Sequence, residues 1–115
     1  AESADLRVVR GALDDVLRTD GYLDAGIGAV GLAAAEVVAA LDGRAADDLA
    51  AAVTQWVAAH RAQRDPALAD LARAAVTRIT SESSRSELRE LWDEADPDDR
   101  NAWRASAEDL RARLG

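Results

Sequence analysis

From Ala25 to Leu41 the chain runs for 17 residues with one charged side chain, Glu36, and most of the other positions are Ala or Gly. A run of this length sits at the short limit for crossing a bilayer. Ala and Gly drive insertion weakly, and a central carboxylate opposes it. The run is therefore read as a helix over 27–42 that is apolar on most faces and forms the buried centre of a globular domain. Its larger apolar residues are Ile27, Val30, Val37, Val38 and Leu41, and Gly43 supplies a cap beyond its end. Glu36 must reach solvent or find a partner, because an unpaired buried carboxylate is costly. An Arg or a helix-end amide would satisfy it.

The rest of the chain is organised around that segment as further helices. Residues 4–18 carry Leu6, Val9, Leu13, Val16 and Leu17 at three- to four-residue spacing, and Gly21 follows as a left-handed stop. Residues 47–63 place Leu49, Val53, Trp56, Val57 and His60 on one stripe. Asp65-Pro66 reads as an N-cap followed by Pro at the first helical position. The helix it opens runs to about residue 81 on Leu68, Leu71, Ala72, Ala75, Val76 and Ile79. Ser84 and Glu87 are spaced as a capping box for a fifth helix over 85–95, with Leu88, Leu91 and Trp92 facing inward. Asp96-Pro97 opens a sixth helix carrying Trp103, Leu110 and Leu114. No segment alternates with period two, so no strand is expected. The fold class is all-α: one domain over 1–115, a compact bundle of five to six helices packed antiparallel through short connections.

Composition limits the chemistry. Cys and Lys are both absent, so all 14 cationic side chains are Arg, which excludes disulfides, Cys-ligated metal sites, a thiol nucleophile and a Schiff-base lysine. Leu, Ile and Val make up about 21% of the chain while Ala takes 28 positions, which implies close-packed helices around a thin core. The formal net charge of −8 repels nucleic-acid phosphate and anionic membranes. Residues 1–57 hold 10 acids and 4 Arg, a net −6, so most of the excess lies in the first half. No basic start followed by an apolar run marks a signal peptide, and the expected location is cytoplasmic.

Several constellations invite a functional reading. Gly26-Ile27-Gly28-Ala29-Val30-Gly31 matches GxGxxG, with Asp47 and Asp48 about 20 residues on, where a ribose-binding acid would sit. The motif follows Asp20-Gly21-Tyr22-Leu23-Asp24 rather than a buried strand, so it reads as a Gly-rich helix start packed closely on a neighbour, and no cofactor is expected. His60, the single histidine, lacks the Ser or metal-ligand context of a catalytic group and reads as a partly buried or capping residue. Asp93, Glu94, Asp96, Asp98 and Asp99 lack the pattern of a calcium loop and suit a helix N-terminus, so no metal is expected. Trp56, Trp92 and Trp103 are expected in the core. Any of them left exposed would mark a partner site, and with Glu36 they form the candidate interaction set.

Taken in order, Tyr22-Leu23-Asp24-Ala25, the Ala-rich run from Leu32 to Leu41 with Glu36, Trp56, Ser86-Glu87-Leu88-Arg89-Glu90-Leu91-Trp92-Asp93-Glu94 and Ala102-Trp103-Arg104 resemble the family called domain of unknown function 4259. The resemblance covers most of the chain. Members of that family open with a Trp-Gly and Asn-Asp rich segment that is not present before the first helix here. If such a segment is missing, the groove it would fill is a site for self-association or for a peptide. The functional expectation is a small, non-catalytic, acidic interaction or regulatory domain with a protein partner or self-association, and with no direct nucleic acid and no membrane. The alternative is an acidic decoy that occupies a basic nucleic-acid-binding surface. A weaker alternative is a hydrolase using Glu36 or the 93–99 carboxylates.

Overall fold

The computed structural model describes residues 4–44, 51–60, 65–81 and 85–114. Among these residues the chain forms six helices: α1 (Ala4–Arg18), α2 (Ala25–Leu41), α3 (Ala51–His60), α4 (Pro66–Thr80), α5 (Glu87–Asp93) and α6 (Pro97–Arg113). The all-α bundle expected from periodicity is present. α2 lies at its centre and packs against each of the other five helices.

That central position follows from small side chains. The buried residues of α2 are Gly28, Gly31, Ala34, Ala35, Val38, Ala39, Ala40 and Leu41. Residues 28, 31, 35 and 38 recur at helical spacing and let neighbouring helices come close. Leu6, Leu13 and Val16 of α1 and Leu68, Ala72, Ala75, Val76 and Ile79 of α4 close the core around them. The bulkier Ile27 and Val30 point outward, contrary to expectation, because the tight contacts at this end of α2 are made by Gly28 and Gly31. Leu17 is also partly exposed, at the last turn of α1.

The ends of α2 are chemically specified. Asp24 caps the N-terminus by accepting from Gly26 N at 3.1 Å, so the helix begins at Ala25, two residues earlier than the apolar pattern implies. At the other end Gly43 has φ +80°. Its N–H donates to Ala40 O at 2.9 Å, and Arg44 N–H donates to Ala39 O at 2.9 Å, a Schellman pair that satisfies two terminal carbonyls. Gly21, also at φ +80°, ends the turn after α1 as expected. α4 opens with Asp65 accepting from Ala67 N at 2.9 Å and Pro66 at the first position. Asp96 precedes Pro97 in the same way but makes no side-chain cap bond.

The fifth helix departs most from expectation. It spans Glu87–Asp93 and is capped by Ser86, whose hydroxyl accepts from Arg89 N at 3.4 Å; Ser84 lies outside the described residues. Glu87 Oε1 accepts from Ala25 N at 2.8 Å, at the start of α2. Ser86 is fixed by a parallel bridge to Leu23, with Leu23 N–H donating to Arg85 O at 2.6 Å and Glu87 N–H donating to Leu23 O at 2.8 Å. This one rung is the strand-like pairing that alternation did not reveal. Leu91, expected inside, is exposed because α5 turns its Leu88 side towards Gly28. The expected flanks of α3, including Leu49, lie outside the described residues.

The central packing makes a sharp contrast between two glycines. A Cβ at Gly31 would stand 2.5 Å from Val16 Cγ2 and 3.3 Å from Ile79 Cδ1, whereas one at Gly28 would meet Leu88 at an ordinary 3.4 Å. Val16 is β-branched and fully buried, so it cannot swing aside. Gly31→Ala should destabilise by about 1–3 kcal/mol in urea unfolding. Gly28→Ala should be neutral or stabilising by up to about 1 kcal/mol through helix propensity. Equal effects would contradict the close approach of α1 to α2.

Candidate interaction site

Glu36 is held by Arg113. Arg113 Nη1 donates to Glu36 Oε2 at 2.9 Å and Nη2 donates to Oε1 at 3.0 Å, a two-pronged pair joining mid-α2 to the end of α6. Arg113 Nε also donates to Asp109 at 2.7 Å, and Nη1 donates to Arg44 O at 3.1 Å. The bond to Glu36 foremost, and that to Asp109, push the Arg113 guanidinium pKa still further above its ordinary value. The lone carboxylate of α2 has thus found the Arg that its position required, and both its oxygens are engaged.

The three Trp residues are half-buried at the edges of the bundle rather than in its interior. Trp56 stacks on His60 one turn later, with ring centroids 4.2 Å apart and planes 18° apart. His60 Nδ1–H donates to the Trp56 carbonyl at 2.7 Å, which makes it a partly buried residue closing its own helix end. Trp92 and Trp103 stack across the α5–α6 corner at 6.0 Å and 10°. An interior that is mostly Ala and short aliphatics has no room for indoles, so they sit where helices diverge.

Trp56 also lines an open apolar groove of about 350 Å³ together with Val8, Val9, Val37, Ala52 and Val53. The groove lies between α1, α2 and α3. Val8 stands 72% exposed beside it. The sequence signal for this surface was Val8 itself, an apolar residue off the Leu6–Val9–Leu13 stripe of α1.

The amides at the start of α2 are taken by the chain's own oxygens: Ala25 N by Glu87, Gly26 N by the Asp24 side chain and Gly28 N by Asp24 O. Gly28 and Gly31 of the GxGxxG segment serve close packing, as expected. At the acidic junction, Asp93 pairs with Arg89 at 3.3 Å and with Arg104 at 2.9 Å. Among the described residues no group of three or more His, Cys, Asp or Glu side chains is placed to hold a metal ion. No described helix is long and apolar enough to cross a membrane.

Tyr22 is a contact that sequence reasoning missed. Its hydroxyl donates to Glu90 Oε2, linking the α1–α2 turn to α5 beside the Leu23–Ser86 rung. The bond to a carboxylate, with desolvation and the charges of Glu90, Glu87 and Glu94 adding to it, pushes the phenol up to about 12.

Two outcomes follow from these ties. Tyr22 is the single tyrosine, so an ultraviolet tyrosinate titration reads it alone. Its midpoint should fall near pH 12 and return towards 10 in Glu90→Gln. Because the folded value is raised, the stabilising contribution is complete below pH 10 and disappears as pH rises through 12. For the second tie, a double-mutant cycle over Glu36→Gln and Arg113→Ala should return a coupling of about 1–2 kcal/mol. A coupling near zero would show that the pair is a solvated surface contact.

A family model described as domain of unknown function (DUF4259) matches residues 1–106. No curated protein and no solved structure matches the chain. The chain belongs to the DUF4259 family.

Proposed function

We propose that this member of the DUF4259 family is a non-catalytic, cytoplasmic interaction domain that receives a protein partner in the groove between α1, α2 and α3. The observation that carries the reading is the groove itself: an open apolar surface on which Trp56 and three valines from different helices converge, beside the exposed Val8. A Trp set in a concave apolar surface is a usual anchor of a protein interface. α1, α2 and most of α3 lie within residues 1–57, which carry a net −6. The partner segment that suits such a groove is an apolar helix face flanked by basic side chains, with the acids steering its approach.

The other sequence-based readings gain less. A decoy for a basic surface requires unpaired acids on one face. Here Asp70, Asp93 and Asp109 are each paired with an Arg of the same helix, and Glu36 is paired with Arg113. A hydrolase built on Glu36 would need a carboxyl group that is not committed to a guanidinium. Trp92 and Trp103 lean on each other, and Glu36 is turned to the α6 end, so Trp56 is the member of the candidate set best placed for a partner.

Affinity capture from the source lysate at low and high salt, with wild type beside Val8→Asp, tests this reading. Val8 is largely exposed, so the variant should fold as wild type does. The expected result is a stoichiometric protein retained by wild type, weakened at high salt and lost with Val8→Asp. Recovery of the same proteins by both forms would remove the groove from the account.

A further inference from the structure

A second, polar pocket of about 510 Å³ lies between the end of α4, α5 and α6. Arg89, Arg104 and Arg111 line it, with Trp103, Thr77 and Thr80. Glu108 is the one acid among its described lining residues, which together carry three positive charges against one negative on a chain whose total is −8. Asp93, at the end of α5, binds Arg104 at 2.9 Å and Arg89 at 3.3 Å. It offsets part of that charge and fixes both guanidinium groups. A guanidinium has five N–H donors, and the Arg104 bond to Asp93 uses one nitrogen, Nη2. Arg111 is exposed, and its side chain makes no hydrogen bond or ion pair among the described residues. The Thr77 and Thr80 hydroxyls donate to Arg73 O at 3.0 Å and Val76 O at 2.8 Å, which leaves their lone pairs as acceptors.

We propose that this pocket binds a small organic phosphate with a planar ring, of the class of a nucleoside monophosphate. The three parts of such a ligand match the three kinds of wall. Arg104 and Arg111 supply charge-assisted donors for the phosphate oxygens. Trp103 and Ala107 give an apolar wall for the ring. Thr77, Thr80 and Glu108 accept from hydroxyl or amino groups on the sugar or base. The volume is within the range of small-molecule sites. A polymer would bring many phosphates against the chain's overall negative charge, whereas a monophosphate meets only this local positive patch. The site is separate from the α1–α2–α3 groove and does not rest on the partner reading.

Calorimetric titration with adenosine monophosphate, and separately with adenosine and with inorganic phosphate, tests the assignment. Adenosine monophosphate should bind saturably, quench Trp fluorescence and weaken as salt rises. Adenosine and phosphate alone should each bind at least about tenfold more weakly. Arg111→Ala and Arg104→Ala should each weaken binding by about tenfold or more. Arg111 is exposed and unpaired, so its variant keeps the fold even if Arg104→Ala, which loses the Asp93 contact, does not. No saturable binding at millimolar ligand, binding unchanged in Arg111→Ala, or phosphate binding as tightly as the nucleotide would each overturn the proposal.

Discussion

The close approach of α1 and α4 to α2 at Gly31 is the contact on which the rest of the bundle depends. With no side chain at that position, Val16 Cγ2 and Ile79 Cδ1 both occupy the space a Cβ would need. Once these helices are so near, Ala34, Ala35 and Ala39 are large enough to fill the remaining layers, and Val38 and Leu41 complete them. A chain with few large aliphatics can build a dry interior only in this way, by bringing backbones together rather than by filling gaps between them. The cost is that bulky groups have no interior to enter. Trp56, Trp92, Trp103, Ile27 and Val30 are displaced to edges and outer faces, and both concave surfaces, the apolar groove and the polar pocket, carry one of these Trp residues.

The polar ties are arranged to hold the peripheral helices to that centre. α5 is seven residues long and buries no residue completely. It is held instead by the Leu23–Ser86 rung, by Glu87 on Ala25 N and by Tyr22 on Glu90, all of which join it to the turn that enters α2. α6 has mostly polar faces and is fastened at its far end by Arg113 on Glu36. Each tie links residues at least 62 positions apart in sequence, so the order of the six helices is locked by contacts that no local pattern encodes.

What could be read from the sequence follows from this division. The 3.6-residue periodicity of α1 and α4, the Pro-marked start of α4 and the glycine stops at Gly21 and Gly43 are local properties, and each appears where the pattern puts it. The buried role of α2 was legible because no other environment accepts so long an apolar run. The need for a partner at Glu36 was legible for the same reason, but its identity was not, since Arg113 lies on the last helix. The Leu23–Ser86 rung was invisible because a single bridge leaves no alternation. The start of α5 was misplaced because a serine-rich stretch offers several caps, and tertiary pairing with Leu23 selects Ser86. The polar pocket was hidden because Arg89, Arg104 and Arg111 come from two helices, and only packing brings them to one rim.

Native-state hydrogen exchange tests most directly the claim that α2 organises the molecule while the surfaces offered to ligands lie on its margins. The amides of Ala34 to Leu41 should exchange slowest, at the free energy of global unfolding, together with the inward amides of α1 and α4. α5 should open at lower free energy. Exchange of the α2 amides at or before those of α5 would contradict it.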